Sequence, residues 1–417
     1  MKTLRDLAPE LRSNLLVLFL AGLLFWTSMA SLLPTLPLYV QDVGGSKQDI
    51  GIVMGAFAIG LLFSRSWLGR LADQRSRKLV LLIGASCAAI APLGYLAFHS
   101  IPLLMVIRAF HGISIAAFGT AFIALVTDIA PPNNRGEVIG YMSLVNPIGV
   151  ALGPAMGGFM QEEAGYPLLF AVASMVALVS LACTLRVGEP TLSEALRSDR
   201  SAPQEEFWQL LNSPRIRVPT IMLLLVGIAF GTLSTFVPLF IQETGVDFNA
   251  GLFYTAAAIA SFSIRVLIGR ASDRYGRGLF ISISLMCYSL AMMMLWYATS
   301  PTLFLLAGLI EGAGFGMLIP MVSAMMADRS LPQERGRVFG LCMAGFDLGL
   351  ALAGPILGIL AEQVGWQYRS LFACAAALAF ASLFVFVTRG NKNMSHSLRF
   401  ATGQGADLYA YKPVESR

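Results

Sequence analysis

Long apolar stretches, each of about 20 residues or more, alternate with short polar connections along most of the 417-residue chain. A helix of about 20 apolar residues crosses the hydrocarbon core of a bilayer, which is about 30 Å thick. The stretches lie at about residues 13–40, 48–69, 79–98, 102–128, 135–162, 166–186, 217–243, 248–270, 278–297, 301–328, 334–363 and 367–388. The pattern therefore predicts an all-α membrane protein with 12 transmembrane helices.

A long polar segment divides these 12 stretches into two sets of six. Residues 187–216 contain prolines and charges of both signs, so they predict a cytoplasmic linker between the halves. Residues 1–186 then form an N-terminal six-helix bundle, and residues 217–388 form a C-terminal one. The polar residues 389–417 are predicted to be a disordered cytoplasmic tail.

The sequences of the two halves are similar, with equivalent residues 200 positions apart. The run Gly69–Arg77 returns as Gly269–Arg277, and Asp128 corresponds to Asp328. Because residue type and spacing are both preserved, the chain is a tandem duplication. Many secondary transporters consist of two similar membrane halves with a binding site between them.

Composition and charge agree with a membrane location. Apolar residues make up 56% of the chain and charged residues 13%, whereas soluble proteins have about 25% charged residues. Of the 29 lysines and arginines, 24 fall in segments that share one membrane side if the N-terminus is inside. Positive residues are retained in the cytoplasm, so both termini are predicted to be cytoplasmic. The formal charge of +5 then indicates contact with anionic lipid and gives no reason to expect nucleic acid.

The chain lacks the patterns of several other protein classes. Its five cysteines fall in predicted spans and its three histidines are scattered, so we expect no metal site and no cofactor. It has no phosphate-binding loop for ATP. No spacing of Ser, His, Asp or Cys suggests a catalytic triad, so an intramembrane enzyme is disfavoured.

Three motifs resemble those of the major facilitator superfamily of transporters. The first is Gly69-x-Leu-Ala-Asp73-x-x-x-Arg77-Lys78, after the second span. The second is Arg108-x-x-His111 in the fourth span, where the family usually has glutamine in place of the histidine. The third is Gly149-x-x-x-Gly153-Pro154-x-x-Gly157-Gly158 in the fifth span. The resemblance covers the whole chain and implies two six-helix bundles related by pseudo-twofold symmetry, with a drug:proton antiporter as the most similar branch.

The resemblance implies a gate at the loop after the second span. Asp73 would face the start of the eleventh helix, where the helix dipole favours an anion. Arg70 and Arg77 would hold the halves together, and Gly69 would permit close helix contact. The copied positions Gly269 and Asp273 would act similarly. Positive-inside topology also explains the arginines, but it does not explain an aspartate repeated in both halves.

The glycine-rich motif of the fifth span has two interpretations. In the family, it forms a proline bend between the halves that seals the path against leak, and this role would fall to Gly149, Gly153, Pro154, Gly157 and Gly158. The alternative is ordinary close packing of small residues in lipid.

Four ionisable residues lie well inside predicted spans, six or more residues from either end, namely Arg108, His111, Glu311 and Asp347. Placing a charged side chain at the bilayer centre costs at least about 2.5–3.5 kcal/mol. Such residues are therefore retained where they are paired, hydrated or functional. We expect proton coupling here, with Glu311 as the first candidate and Asp347 as the second. The alternatives are a fixed structural pair between Glu311 and Arg108, and a His111 held by hydrogen bonds alone.

If the first, fourth, seventh and tenth spans line a cavity as in the family, its wall includes Trp26, Thr27, Phe230 and Thr235. The first span has no acidic residue, which argues against a strict preference for cationic drugs. A lipophilic drug, a sugar or an anionic metabolite would each suit this mixed surface.

Together these features predict a monomeric, multi-pass transporter of the plasma (inner) membrane that exports small amphipathic molecules in exchange for protons. The alternatives are a proton-coupled uptake symporter, a sugar or metabolite exporter of the same fold, and a sensor that has lost transport.

Replacing Asp73 with Asn tests the proposed gate. The change removes the charge that would meet a helix dipole, so transport should weaken while the amount of protein in the membrane stays the same. Substrate flux and membrane abundance are measured together. Unaltered transport would rule out the gating role.

Overall fold

A computed structural model describes residues 8–131, 134–189, 212–331 and 334–411. The described residues form helices joined by turns and loops and contain no β-strand. They form two compact units. The first contains residues 8–131, 134–189 and 249–255, and the second contains residues 212–248, 256–331 and 334–411. The all-α prediction is confirmed.

Seven helices come from the first half. They are α1 (Pro9–Ser31), α2 (Leu36–Asp42), α3 (Lys47–Gln74), α4 (Arg77–Ala97), α5 (Ile101–Ile129), α6 (Arg135–Met142) and α7 (Val145–Arg186).

Seven more come from the second half. They are α8 (Pro214–Thr244), α9 (Ala250–Tyr275), α10 (Arg277–Tyr297), α11 (Pro301–Asp328), α12 (Arg335–Gln363), α13 (Tyr368–Arg389) and α14 (Met394–Ala401).

Ten helical stretches in the described part of the chain are long and apolar enough to cross a membrane. One of them, Arg135–Arg186, has 52 residues and comprises two predicted spans, because the backbone leaves helical geometry at Gly165 with φ 77°. Glycine adopts such a positive φ without the steric cost that other residues have. With α9 at the position of the eighth stretch, the helices account for all 12 predicted spans.

Local sequence signals explain where several helices begin. At the start of α3, the Ser46 hydroxyl accepts a hydrogen bond from the Asp49 amide, and the Asp49 carboxylate accepts one from the Ser46 amide. This reciprocal capping satisfies two amides that have no partner within the helix. Helix α5 instead has Pro102 in its first turn, where a missing amide proton costs nothing.

The first unit is built around close contact between α1 and α7. Three glycines at intervals of four, Gly149, Gly153 and Gly157, bring the α7 backbone against α1. A Cβ at Gly157 would overlap the carbonyl oxygen of Ser31. Spacing by four places these glycines on one helix face, so they form a continuous smooth surface.

The tail differs from the prediction of disorder. Residues 390–411 fold back on the second unit through α14 and the turns after it. The guanidinium of Arg329, whose side chain is fully buried, binds Asp407 at 2.6 Å and the carbonyl oxygen of Gly390 at 2.7 Å. A buried charge needs such partners, and the tail supplies one that its polar composition did not reveal. Residues 412–417 lie outside the described residues.

The predicted linker is described at its two ends. Gly188 exchanges two hydrogen bonds with the side chain of Asn14, at 2.9 and 2.7 Å. The chain therefore remains attached to the first unit after α7 ends at Arg186. Residues 190–211 lie outside the described part, and α8 begins at Pro214.

Replacing Gly157 with Ala tests the contact between α1 and α7. The added methyl group would overlap backbone of Ser31, so the change should lower the free energy of unfolding by about 1–3 kcal/mol. The matched control is Gly119→Ala in α5, where a Cβ meets no heavy atom within 4 Å. Thermal unfolding in detergent micelles should show Gly157→Ala well below the control. Equal stabilities of the two variants would contradict the close packing of α7 on α1.

Candidate functional site

A buried polar cluster lies in the first unit, on the fourth span. Arg108 and His111 are one turn apart on α5 and both are buried, His111 completely. The Nδ1 atom of His111 is 3.2 Å from the hydroxyl of Tyr95 on α4 and 3.5 Å from Nη1 of Arg108. An arginine N–H can only donate, so Nδ1 accepts and a neutral ring carries its proton on Nε2.

The remaining environment of this cluster is aromatic. The Arg108 guanidinium lies 4.3 Å from the ring centroid of Phe57 on α3, which is a cation–π distance. The His111 ring meets Phe57 edge-on at 5.9 Å. Among the described residues, Arg108 Nε and His111 Nε2 are buried without a hydrogen-bond partner. The hydrogen-bonding groups of this cluster are thus only partly paired, which costs free energy in a low-dielectric interior.

The second unit has a buried carboxylate at the equivalent position. Glu311 lies on α11, 200 residues after His111, and is 4% exposed. The fully buried Tyr288 of α10 lies beside it. Within the described part of the chain, neither Glu311 Oε1 nor the Tyr288 hydroxyl has a hydrogen-bond partner of normal geometry. Each half therefore places a buried ionisable group of its fourth span next to a tyrosine of its third.

Aromatic rings surround this part of the second unit. Phe230 of α8 stacks on Phe315 of α11 at 5.0 Å, and both contact Phe346 of α12 at 5.6 and 5.8 Å. Asp347, the residue after Phe346, is also buried. Thr235 is buried on α8. Phe315 is one helical turn after Glu311, and its ring lies 6.5 Å from that of Tyr288, so the predicted wall residue Phe230 is part of an aromatic cluster near Glu311.

The predicted wall residues of the first unit lie on α1. The Thr27 hydroxyl donates to the carbonyl oxygen of Leu23 at 2.8 Å, so its polar group is satisfied within the helix. The Trp26 side chain is half-buried, and its Cβ lies against Gly149 of α7. The ring of Trp26 meets Phe25 edge-on at 5.5 Å.

Arg77, predicted to join the two halves, forms its described contacts within the first unit. Its guanidinium makes a 2.8 Å ion pair with Asp128 and donates to the carbonyl oxygen of Ala124, both on α5. Its backbone amide donates to the Glu189 carboxylate at 2.6 Å. The residue therefore joins α4 to the end of α5, and its role between the halves stays a prediction.

The second unit repeats this arrangement 200 residues later. Arg277 pairs with Asp328 and donates to the carbonyl oxygen of Ala324. The repeat of the loop thus coincides with a repeat of side-chain contacts. The second pair is more exposed, with side chains 28% and 45% exposed against 8% and 21% in the first.

The other residues of the predicted gate lie at the end of the second span in each half. Arg70 and Asp73 are exposed in the last turns of α3. A Cβ at Gly69 would meet no heavy atom of the described residues within 4 Å. Gly269 and Asp273 lie in α9, but their side-chain environments are outside the described part.

The glycine motif of the fifth span packs on α1, as described above, through Gly149, Gly153 and Gly157. Gly158 and Pro154 instead adjoin the segment 249–255, because a Cβ at Gly158 would overlap the side chain of Asn249. The break in α7 falls at Gly165 and not at the proline. All five motif residues thus lie at close contacts, and a role of the motif in sealing the path stays a prediction.

Sequence reasoning missed three residues of these clusters. Tyr95 and Tyr288 gave no signal because tyrosine in a span is common and its partner lies on another helix. Glu189 was assigned to the linker, yet it accepts hydrogen bonds from the Ser76 hydroxyl and the Arg77 amide at the start of α4. An anion at a helix N-terminus is stabilised by the helix dipole. No group of three or more potential metal ligands occurs in the described residues.

Comparison with known proteins gives a consistent result. A family model described as the Major Facilitator Superfamily matches residues 18–293 and 245–407. An uncharacterized MFS-type transporter of Salmonella typhimurium is 29% identical over 363 residues, covering 85% of this chain and 91% of that protein. The multidrug resistance protein MdtG of Serratia proteamaculans is 26% identical over 384 residues, covering 89% and 92%.

Solved structures share the fold at low sequence identity. A mutant of the nucleoside transporter NupG superposes with a TM-score of 0.78 at 17% identity, over 90% of this chain and 99% of that one. A bacterial homolog of the human lysosomal transporter Spinster, in an inward-facing and unoccupied conformation, gives a TM-score of 0.71 at 15% identity, over 98% and 100%.

The two equivalent arginines should differ in their contribution to stability. Arg77→Met removes the guanidinium from its ion pair with Asp128. We expect a loss of about 2 kcal/mol, less than for a fully buried pair because Asp128 is 21% exposed. Arg277→Met should cost about 1 kcal/mol or less, since that pair is more solvated. Thermal unfolding of both variants is compared with Arg75→Met, which removes an exposed cation nearby. A larger loss for Arg277→Met than for Arg77→Met would contradict this ranking.

Proposed function

The chain belongs to the major facilitator superfamily and is a multi-pass membrane transporter, and we propose that it exports small amphipathic molecules in exchange for protons. The proposed location is the inner membrane of a bacterial cell, with both termini in the cytoplasm. Transport would proceed by alternating access of a site between the halves to the two membrane sides. The chain is not an enzyme.

The names of relatives support export over uptake. Several proteins of 24–26% identity, including that of Serratia proteamaculans, are named multidrug resistance protein MdtG. The match covers 89% of this chain, so it includes both halves. Because those proteins are named for multidrug resistance, we propose a drug-like amphipathic molecule as the substrate class of this chain.

Glu311 carries the proposal of proton coupling. Its carboxyl group is buried on the tenth span and has an oxygen without a hydrogen-bond partner in the described residues. An ionised carboxylate in this position has a high desolvation cost, whereas a protonated one does not. Binding and release of a proton at Glu311 would therefore change the stability of the conformations that bury or expose it.

Arg108 and His111 have contacts that suit a different role. His111 accepts at Nδ1 from its neighbours, and Arg108 is held over an aromatic ring. Both groups are thus fixed by the first unit. We propose that Arg108 supplies a permanent positive charge for the coupling reaction and that His111 positions it. Asp347 is the second candidate for the proton.

The proposed binding surface combines aromatic and polar groups. Stacked rings of Phe230 and Phe315 provide flat apolar surface close to Glu311 in the second unit. Planar amphipathic molecules suit such surfaces because ring stacking adds to apolar burial. Trp26, Thr27 and Thr235 complete the proposed wall. No acid lies within the first span, so neutral and zwitterionic compounds are expected as well as cations.

The gate residues and the glycine motif keep supporting roles in this proposal. Arg70 and Asp73 are exposed at the end of α3, where they are accessible to a partner helix during the cycle. The smooth face of α7 would let α1 and α7 move as one body, since their backbones are in contact. We propose that the protein acts as a monomer, because each chain contains both halves.

Reconstitution with an imposed pH gradient tests the proposal. Vesicles with an acidic lumen should accumulate a lipophilic dye, and Glu311→Gln should reduce this accumulation at least about tenfold, because the variant has no carboxyl proton to exchange. Substrate counterflow without a gradient should persist in the variant, which shows that it folds and binds. The panel includes a cationic, a neutral and a zwitterionic compound and a sugar.

The matched control is Glu243→Gln, the same chemical change at an exposed position near the end of α8. It should retain gradient-driven accumulation. If Asp347→Asn and not Glu311→Gln abolishes coupling, Asp347 carries the proton. Accumulation in response to an alkaline lumen would indicate uptake by symport, and transport that ignores the gradient in every variant would overturn proton coupling.

A further inference from the structure

The chain continues beyond its last span as a short amphipathic helix. Helix α14 begins at Met394, directly after α13 ends at Arg389, so it lies at the membrane face where the last span ends. Its inner side is formed by Ser397, Phe400 and Ala401, which are buried. The opposite side is exposed.

The inner side of α14 packs on the ends of two membrane helices. The Phe400 ring lies 6.0 Å from that of Phe386 on α13. At Gly278, α10 approaches so closely that a Cβ would overlap the carbonyl oxygen of Phe400. Since α10 begins at Arg277 and α13 ends at Arg389, α14 rests on their ends at the same membrane face.

The same two helices have rows of large apolar side chains on their exposed surface. These are Met286, Leu290 and Met293 on α10, and Phe380 and Phe384 on α13. Surface of this kind in a membrane protein faces lipid acyl chains. Helix α14 thus lies where lipid-facing surface meets the membrane boundary.

The exposed side of α14 combines apolar and basic groups. Met394 and Leu398, one helical turn apart, are 64% and 50% exposed. Lys392 and Arg399 are also exposed, and residues 389–406 contain no acidic residue. Long apolar side chains beside cations are typical of helices that lie in the plane of a membrane interface.

We propose that α14 binds the surface of an anionic bilayer. Met394 and Leu398 contact the boundary of the acyl chains, and Lys392 and Arg399 contact lipid phosphates. Anionic headgroups attract lysine and arginine side chains near the membrane surface more strongly than zwitterionic headgroups do. This interaction does not depend on which molecule is transported, on its direction or on proton coupling.

The ion pair between Arg329 and Asp407 keeps α14 in the position from which it contacts lipid. Arg329 binds Asp407, beyond the end of α14, and also Gly390 before its start. Both ends of the segment are therefore fastened to the second unit. An isolated helix of eight residues is unstable in water, so these attachments and the lipid together keep it folded.

Hydrogen exchange of the full-length protein in lipid nanodiscs tests the proposal. Discs contain phosphatidylcholine alone or an equal mixture with phosphatidylglycerol, and no transport substrate is added. Amides of residues 395–402 should exchange up to roughly thirtyfold more slowly in the anionic discs, since each of the two cations at the headgroups contributes about fivefold. High salt should reduce this difference, because it screens exposed charges.

Two double variants with the same loss of charge make the test specific. K392Q with R399Q should abolish the difference between the lipids. K47Q with R369Q removes two cations elsewhere, Arg369 being at the opposite end of α13, and should preserve it. Equal exchange of the wild type in both lipids would overturn the proposal. The proposal would also be overturned if K392Q/R399Q kept the difference between the lipids. Exchange that is faster than in the wild type by the same factor in both lipids would be such a result.

Discussion

The inability of hydrocarbon to hydrogen-bond a peptide group or to solvate a charge is the constraint behind this structure. Each backbone amide must find a partner within its own segment, so every apolar stretch becomes a helix. Each ionisable side chain in a span must be paired, protonated or reachable by water. The same constraint makes Arg108, His111, Glu311 and Asp347 informative, because a bilayer tolerates few residues of this kind.

Duplication explains the scaffold better than it explains the site. The contacts of Arg77 with Asp128 and Ala124 return as those of Arg277 with Asp328 and Ala324. Such repeated contacts hold the third and fourth spans together in each half. Other equivalent positions differ, and His111 in the first half corresponds to the carboxylate of Glu311 in the second. The proposed proton coupling thus falls where the repeat has diverged.

The segments that follow the sixth span of each half have a related structural role. After α7, Glu189 caps the start of α4 through its carboxylate. After α13, the tail packs at the start of α10 through Phe400 and binds Arg329 through Asp407. In both halves, polar residues outside the spans satisfy groups at the ends of helices. Composition alone classified these segments as a linker and a disordered tail, since it does not show which buried partner a polar side chain will meet.

The sequence by itself determined the membrane-crossing stretches, the two halves and the ionisable residues within the spans, because apolar length and charge act locally along the chain. Only the tertiary structure decided that Tyr95 adjoins His111, that Tyr288 adjoins Glu311, and that Arg77 binds within its own half. These contacts join helices distant in the sequence. Side chains on neighbouring helices meet according to the rotation and packing of each helix, which a pattern of apolar residues specifies only weakly.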